Sequence, residues 1–207
     1  DITELDGYAY IGVGRDGGKD SGEHSGIIYM ANRFEVLEQG NFWLSETPDV
    51  PGLGWDATCC IRICSWGKYR EKESQCEFYF FNLHYDHQGK VARRESSKLL
   101  LARIRQIAGE EVPVLVTGDF NAVPIEEPIR ILAADGLLLD SYEVSEQPTY
   151  GTTGTYNSFK TDSDMKGRID YIWVTNRVAV QKYGVLNDMQ YGNFPSDHFP
   201  VMVQVVL

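Results

Sequence analysis

Six polar residues stand at the ends of apolar runs: Asp119 and Asn121 in Gly118-Asp119-Phe120-Asn121, Asp170 in Arg168-Ile169-Asp170-Tyr171, Asp197 and His198 in Ser196-Asp197-His198, and His84 in Asn82-Leu83-His84. Cleavage of a phosphate ester requires positive charge on the leaving and equatorial oxygens and a base for the attacking water. A hard cation on carboxylates, with one or two histidines as donors, meets both needs. Asp197 and His198 are adjacent and so project differently, one suited to a metal and the other to a phosphate. Alone, Asp119 and Asn121 would read equally well as a cap and a turn residue ahead of the helix that starts near Pro124. A Gly-x-Ser-x-Gly nucleophile elbow is absent from the sequence.

The apolar segments that must carry these residues read as strands. Val112–Thr117 suits a buried strand that runs on to Asp119 and Asn121 on one side, with Phe120 anchored in the core on the other. Apolar strands follow Asp170 at Tyr171–Thr175 and the Asp197-His198 pair at Pro200–Leu207, and Glu77–Leu83 leads into His84. Further strands are predicted at Gly26–Met30, Phe34–Leu37, Asn41–Leu44, Thr58–Tyr69 and Val178–Val185, from their β-branched and aromatic content. Helical spacing appears over Lys90–Ala108 and Glu126–Ala134, each closed by a glycine. So many strands with two helices point to two packed sheets with helices outside, because two helices cannot cover both faces of one wide sheet. The long Gly/Pro-rich stretches Ser45–Trp55 and Gln147–Arg168 read as functional rims, and neither a repeat nor a linker interrupts the chain.

Composition narrows the partners. With 19 Lys plus Arg against 30 Asp plus Glu, the net charge of −11 repels a polyanion unless the cations are gathered. The cations of the helix after His84, Arg93, Arg94, Lys98, Arg103 and Arg105, read as a solvated face, with Arg93 and Arg94 close enough to the helix start to reach a phosphate. Cys59, Cys60, Cys64 and Cys76 lack zinc-type spacing and read as small core residues, Cys60 and Cys64 sharing one strand face with Arg62. The four tryptophans read as core, and His24 and His87 have no assignable partner. No apolar run approaches the ~18 residues of a membrane span, and the opening Asp1-Ile2-Thr3-Glu4 is not signal-like, which leaves a cytoplasmic or an exported protein equally open.

In chain order, the strings NLH at 82–84, GDFN at 118–121, RIDY at 168–171 and SDH at 196–198 resemble the endonuclease/exonuclease/phosphatase superfamily, which includes deoxyribonuclease I. The longer strings YIGVGRDGGKDSGEHSGIIY at 10–29, FWLSETPDVPG at 42–52 and HYDHQGKVARRESSKLL at 84–100 are similar to a bacterial branch of it. The resemblance implies an α+β fold, a four-layer αββα sandwich of two packed, mainly antiparallel sheets, and dependence on Mg2+ or Mn2+. It implies that Asp119 positions or deprotonates the attacking water, that Asn121 binds the phosphate or that water, and that Asp197 is a metal ligand. His198, oriented by Asp170, and His84, paired with Glu23, would meet the phosphate, while Arg62, Arg93 and Asn157 would line the cleft. The family also carries an earlier strand with an Asn and then a Gln-Glu pair whose Glu is the principal metal ligand. No residue of Asp1–Tyr10 matches that Glu, so residues 1–207 are read as a single domain without that strand and first metal motif.

The expectation is a monomeric, divalent-metal-dependent hydrolase of phosphodiester or phosphomonoester bonds. Its substrate is expected to be a small phosphorylated metabolite, a lipid headgroup or a sugar phosphate. A nuclease acting on DNA or RNA is the first alternative, disfavoured by the charge and the lack of a basic track. A non-catalytic binding protein of the same fold is the second, motivated by the missing Glu.

Overall fold

Residues 4–207 are described by a computed structural model; Asp1–Thr3, part of the opening that reads as not signal-like, lie outside the described residues. Strict alternation builds the centre of the molecule. Strand β5 (Glu77–His84) sends Tyr79, Phe81 and Leu83 into one core and Phe78 and Phe80 into another. Two more strands, Val114–Asp119 and Asp170–Val174, divide their side chains in the same way, with Val116 and Trp173 on the first side and Leu115 and Ile172 on the second.

These strands belong to one six-stranded sheet. In spatial order it runs β3 (Phe34–Trp43), β4 (Ile63–Glu71), β5, β6 (Val114–Asp119), β8 (Asp170–Val174) and β7 (Leu139–Asp140). Helix α1 (Lys90–Ile107) is the crossover that lets β5 and β6 run parallel, and the other pairings are antiparallel. Leu100 and Ile104 of α1 and Ile129 and Leu132 of α2 (Glu127–Asp135) cover the first face. Two antiparallel pairs cover the second: β1 (Tyr8–Ile11) with β2 (Ile27–Met30), and β9 (Ala179–Val185) with β10 (Val201–Val206).

The α+β sandwich is the expected one, with four differences in detail. Both helices pack on the same face, so among the described residues no helix covers the outer side of the paired strands, and Met30 and Met202 remain exposed there. Those two pairs form separate ladders, and an apolar slot of about 1020 Å³ lies between them, floored by Tyr69, Phe78 and Leu115. The runs at Phe34–Leu37 and Asn41–Leu44 are one strand, with a register shift between Val36 and Glu38. The strand expected from Thr58 begins only at Ile63, so Cys59 and Cys60 lie outside the sheet, and Cys59 is exposed; of the cysteines only Cys64 is a core residue. Among the described residues no helix is long and apolar enough to cross a membrane.

Candidate active site

Strand register brings three of the predicted residues to one sheet edge. His84 is the partner of Asp119 in the parallel β5–β6 ladder, and Asp119 is the partner of Asp170 in the antiparallel β6–β8 ladder. Alternation along each strand points all three toward the face that carries the paired strands. Gly118 makes the approach possible: at φ 152° a Cβ there would lie 2.0 Å from the carbonyl oxygen of Leu83 on the neighbouring strand. The next residue, Phe120, is fully buried between the rings of Tyr85 and Tyr171, and this fixes the turn that follows. In that turn Asn121 takes a left-handed backbone (φ 48°), its N–H donates to Asp119 Oδ1 at 2.7 Å, and its side-chain amide donates to the Tyr85 carbonyl at 3.0 Å.

His198 arrives from the turn before β10. Thr155 holds that turn to β8: its hydroxyl accepts from the N–H groups of Ile169 and Asp170, and its carbonyl accepts from Phe199 N–H. His198 Nδ1 then meets Asp170 Oδ2 at 2.8 Å. This bond, outweighing the opposite pull of burial, raises the His198 imidazole above its ordinary value of 6.5. Asp170 is itself pushed up, because burial and the nearby charge of Asp119 outweigh the bonds it accepts from His198 and Thr155. Donor atoms of Asp119, Asp170 and His198 all lie within 4.8 Å of one another, beside a cavity of about 370 Å³ lined in part by Asp119, Asp170, Phe199 and Val201.

On the other side of Asp119, His84 bridges two acids, with Nε2 3.3 Å from Asp119 Oδ2 and Nδ1 2.7 Å from Glu23 Oε1. Burial works against a charged ring here, but the two carboxylates outweigh it and His84 is raised. The bond to His84 holds the Glu23 carboxyl down at about 2, with help from the charge of Arg15, whose Nη1 donates to Glu23 Oε2 at 2.8 Å.

Residues 34–198 match the model of the Endonuclease/Exonuclease/phosphatase family. The chain belongs to that family. Its members hydrolyse phosphate esters, and the solved relatives carry the same fold. A mannosyl-6-phosphatase from Bacteroides thetaiotaomicron is 46% identical, with a TM-score of 0.92 over 98% of this chain and 78% of that one. Mouse nocturnin is 31% identical over 84% of this chain and 41% of its own length, and an uncharacterized mimivirus protein, L388, is 27% identical over 86% of this chain and 68% of its own. The chain thus spans less than half of the curated nocturnin and somewhat over two thirds of the viral protein. The human nocturnin catalytic domain, at 19% identity and a TM-score of 0.74, shares the fold.

Within this family frame, the remaining expected residues divide. Glu23 sits against His84 as the resemblance implies. Arg62 is only 5% exposed and lies between Asp86 Oδ2 (3.6 Å) and His87 Nδ1 (2.9 Å), while its charge bears on Glu23 and His84. Arg93 and Asn157 depart from expectation. Arg93 is buried at the start of α1 and donates to the Asp86 carbonyl, so its head does not face solvent as a phosphate anchor would. Asn157 is fully buried, and its amide donates to the Ser196 carbonyl while its oxygen accepts from Phe159 N–H, so it braces the turn that carries His198. Asp197, next to His198, lies outside the Asp119–Asp170–His198 group, and its carbonyl accepts from the N–H groups of Asn157 and Ser158.

Sequence reasoning missed three contributors. Arg15 backs Glu23, Thr155 ties two motifs together, and Tyr156, 40% exposed, sets its ring edge-on to His198 at 5.0 Å. Each lies in a loop with no periodic pattern, and only the length of the 147–168 segment hinted at a role.

Proposed function

We propose that this chain is a divalent-metal-dependent phosphoesterase acting on a small phosphorylated metabolite, with a sugar phosphate as the favoured substrate. The observation that carries the proposal is the in-register row His84, Asp119, Asp170 on three adjacent strands, with His198 bonded to Asp170. The donor set fits Mg2+ or Mn2+. Asp119 and Asp170 offer hard carboxylate oxygens close together, their partner histidines leave other lone pairs available, and Asp197 is proposed as a further ligand from the adjoining turn. When bound, such a cation supplies positive charge to the phosphoryl oxygens.

The chain's own residues account for the remaining steps. Asp119, fixed by Asn121 N–H and by His84, accepts the proton of the attacking water. Asn121 orients that water or a phosphate oxygen. His198 is held charged by Asp170 and donates to the phosphate as negative charge develops on it. His84, charged between Glu23 and Asp119, adds a second positive group on the opposite side. Residues 1–207 are taken as one domain of the family, and the activity of the whole protein belongs to this proposal.

A sugar phosphate is favoured by the mannosyl-6-phosphatase relative, by the net charge of −11, and by the burial of Arg62 and Arg93, which leaves neither as an exposed track for a nucleic-acid strand. Tyr156 sets its ring against His198 and offers an apolar wall for a sugar ring. The test is an assay of the intact protein with Mg2+ against hexose 6-phosphates, a simple phosphodiester and an RNA oligonucleotide. Release of phosphate from the hexose phosphates, abolished in Asp119→Ala and His198→Ala, supports the reading. Salt-sensitive cleavage of RNA would replace it with the nuclease, and no turnover together with no Mg2+ binding would replace it with the binding protein.

A further inference from the structure

Cys59 and Cys60 lie between β3 and β4, and His87 lies just past β5. Along an extended strand neighbouring side chains face opposite ways. Here Cys59 occupies a bend ahead of β4, both thiols turn to one side, and their sulfurs are 2.7 Å apart. Cys59 Sγ, Cys60 Sγ and a ring nitrogen of His87 all lie within 4.8 Å of one another, and Cys59 and His87 are exposed.

The two segments are tied together without help from an ion. Thr58 Oγ1 donates to Gln88 Oε1 at 2.7 Å, and the Asp56 carboxylate accepts from the N–H groups of Val91 and Ala92 at the start of α1. Asp86 Oδ1 accepts from the N–H groups of Gln88 and Gly89, which fixes the turn that carries His87. Arg62 Nη2 meets His87 Nδ1 at 2.9 Å. A guanidinium has only donors and keeps its charge, so Nδ1 must accept and the ring is the neutral tautomer with its proton on Nε2. The one lone pair of that tautomer is on Nδ1, so a cation takes it in place of the Arg62 donor, and Arg62 keeps Asp86 Oδ2, 3.6 Å from its Nε.

Two thiols and a neutral imidazole are a soft donor set, unlike the carboxylates of the catalytic row. We propose that Cys59, Cys60 and His87 form a second cation site, selective for a thiophilic ion of the Zn2+ type, with its fourth position open to water or an outside ligand. On binding, each thiol releases its proton to solvent. At a Zn–S distance of about 2.3 Å two thiolates on one tetrahedral ion stand well over 3 Å apart, so the sulfurs spread on loading, a side-chain rotation that exposure permits. The site clips the segment that bears Arg62 to the segment that follows His84.

The test uses the full-length, reduced protein in excess Mg2+, which occupies the hard catalytic donors, titrated with Co2+ as a spectroscopic stand-in for Zn2+. The expected result is a thiolate-to-cobalt charge-transfer band that saturates at one equivalent, is lost in Cys59→Ser/Cys60→Ser, persists in Cys76→Ser, and needs at least about tenfold more Co2+ in His87→Ala. In parallel, Zn2+ raises the Tm of the wild-type chain and leaves that of the double serine variant unmoved. Absence of the band, its survival in the double variant, or an equal Zn2+ shift of Tm in both proteins would overturn the site.

Discussion

His198 and His84 each bond a carboxylate through Nδ1, at 2.8 Å to Asp170 and at 2.7 Å to Glu23, but the surroundings of the two pairs differ. Asp170 is half-buried at a strand edge and its carboxyl is pushed up, whereas Glu23 sits half-exposed in a loop, backed by Arg15, and is held at about 2. On the far side of the rings the difference widens. His84 Nε2 meets Asp119, so the ring bridges two acids whose carboxylates raise it, while Tyr156 stands beside His198. Two similar pairs therefore serve different ends. In the proposed function, the strand-edge pair sets the proton state of the histidine that meets substrate, and the loop pair positions the base Asp119.

The largest effects test whether the two sides share one reaction. Asp119→Ala and His198→Ala are each expected to lower kcat/KM by about 10³-fold or more under saturating Mg2+, because a positioned acid or base contributes roughly 10²–10⁴-fold. Retention of activity in either variant would dissolve the site. Asp170→Asn comes next, with an expected loss of about 10²-fold. Removing the main cause of the raised His198 imidazole also moves the alkaline limb of the pH–rate profile to lower pH, and an NMR titration of the ring should fall with it.

Glu23→Gln should cost less, about tenfold, since His84 keeps Asp119; a drop in the His84 titration point without a shift of the alkaline limb would sharpen the contrast. If Glu23→Gln costs more than Asp170→Asn, the assignment of roles is reversed. The smallest effect is on stability. His198 is raised in the fold, so the stability from its bond to Asp170 is complete below the ordinary 6.5 and is lost as the pH climbs through the raised value. Glu23 behaves oppositely, contributing above its ordinary 4.5 and losing that contribution as the pH falls toward about 2. Denaturant midpoints of wild type, Asp170→Asn and Glu23→Gln across pH would show the two windows, both modest because the side chains are partly solvated.

Much of this was legible in the sequence. Both helices and the central strands followed from apolar periodicity, since strands buried on both faces and helices with one apolar stripe leave strong local patterns. Asp119, Asp170 and His198 were readable because each interrupts an apolar run at its end. Arg93 and Asn157 turn inward onto the Asp86 and Ser196 carbonyls, which was not legible because a residue type and a loop position do not say which way a side chain turns. It also overturned the reading of Cys59 and Cys60 as core residues and gave His87 a partner. The bend that faces the two thiols and the register of Thr58 on Gln88 depend on packing between segments far apart in sequence.

The sequence by itself determined which residues have the chemistry, an acid or histidine at each of several strand ends, because alternation and apolar runs are local properties of the chain. Only the tertiary structure decided which of them meet. The register His84–Asp119–Asp170 is set by hydrogen bonding between strands, the His198–Asp170 bond spans 28 residues, and the His84–Glu23 bond spans 61. Contacts at such separations are fixed by how the layers pack, and no local pattern encodes them.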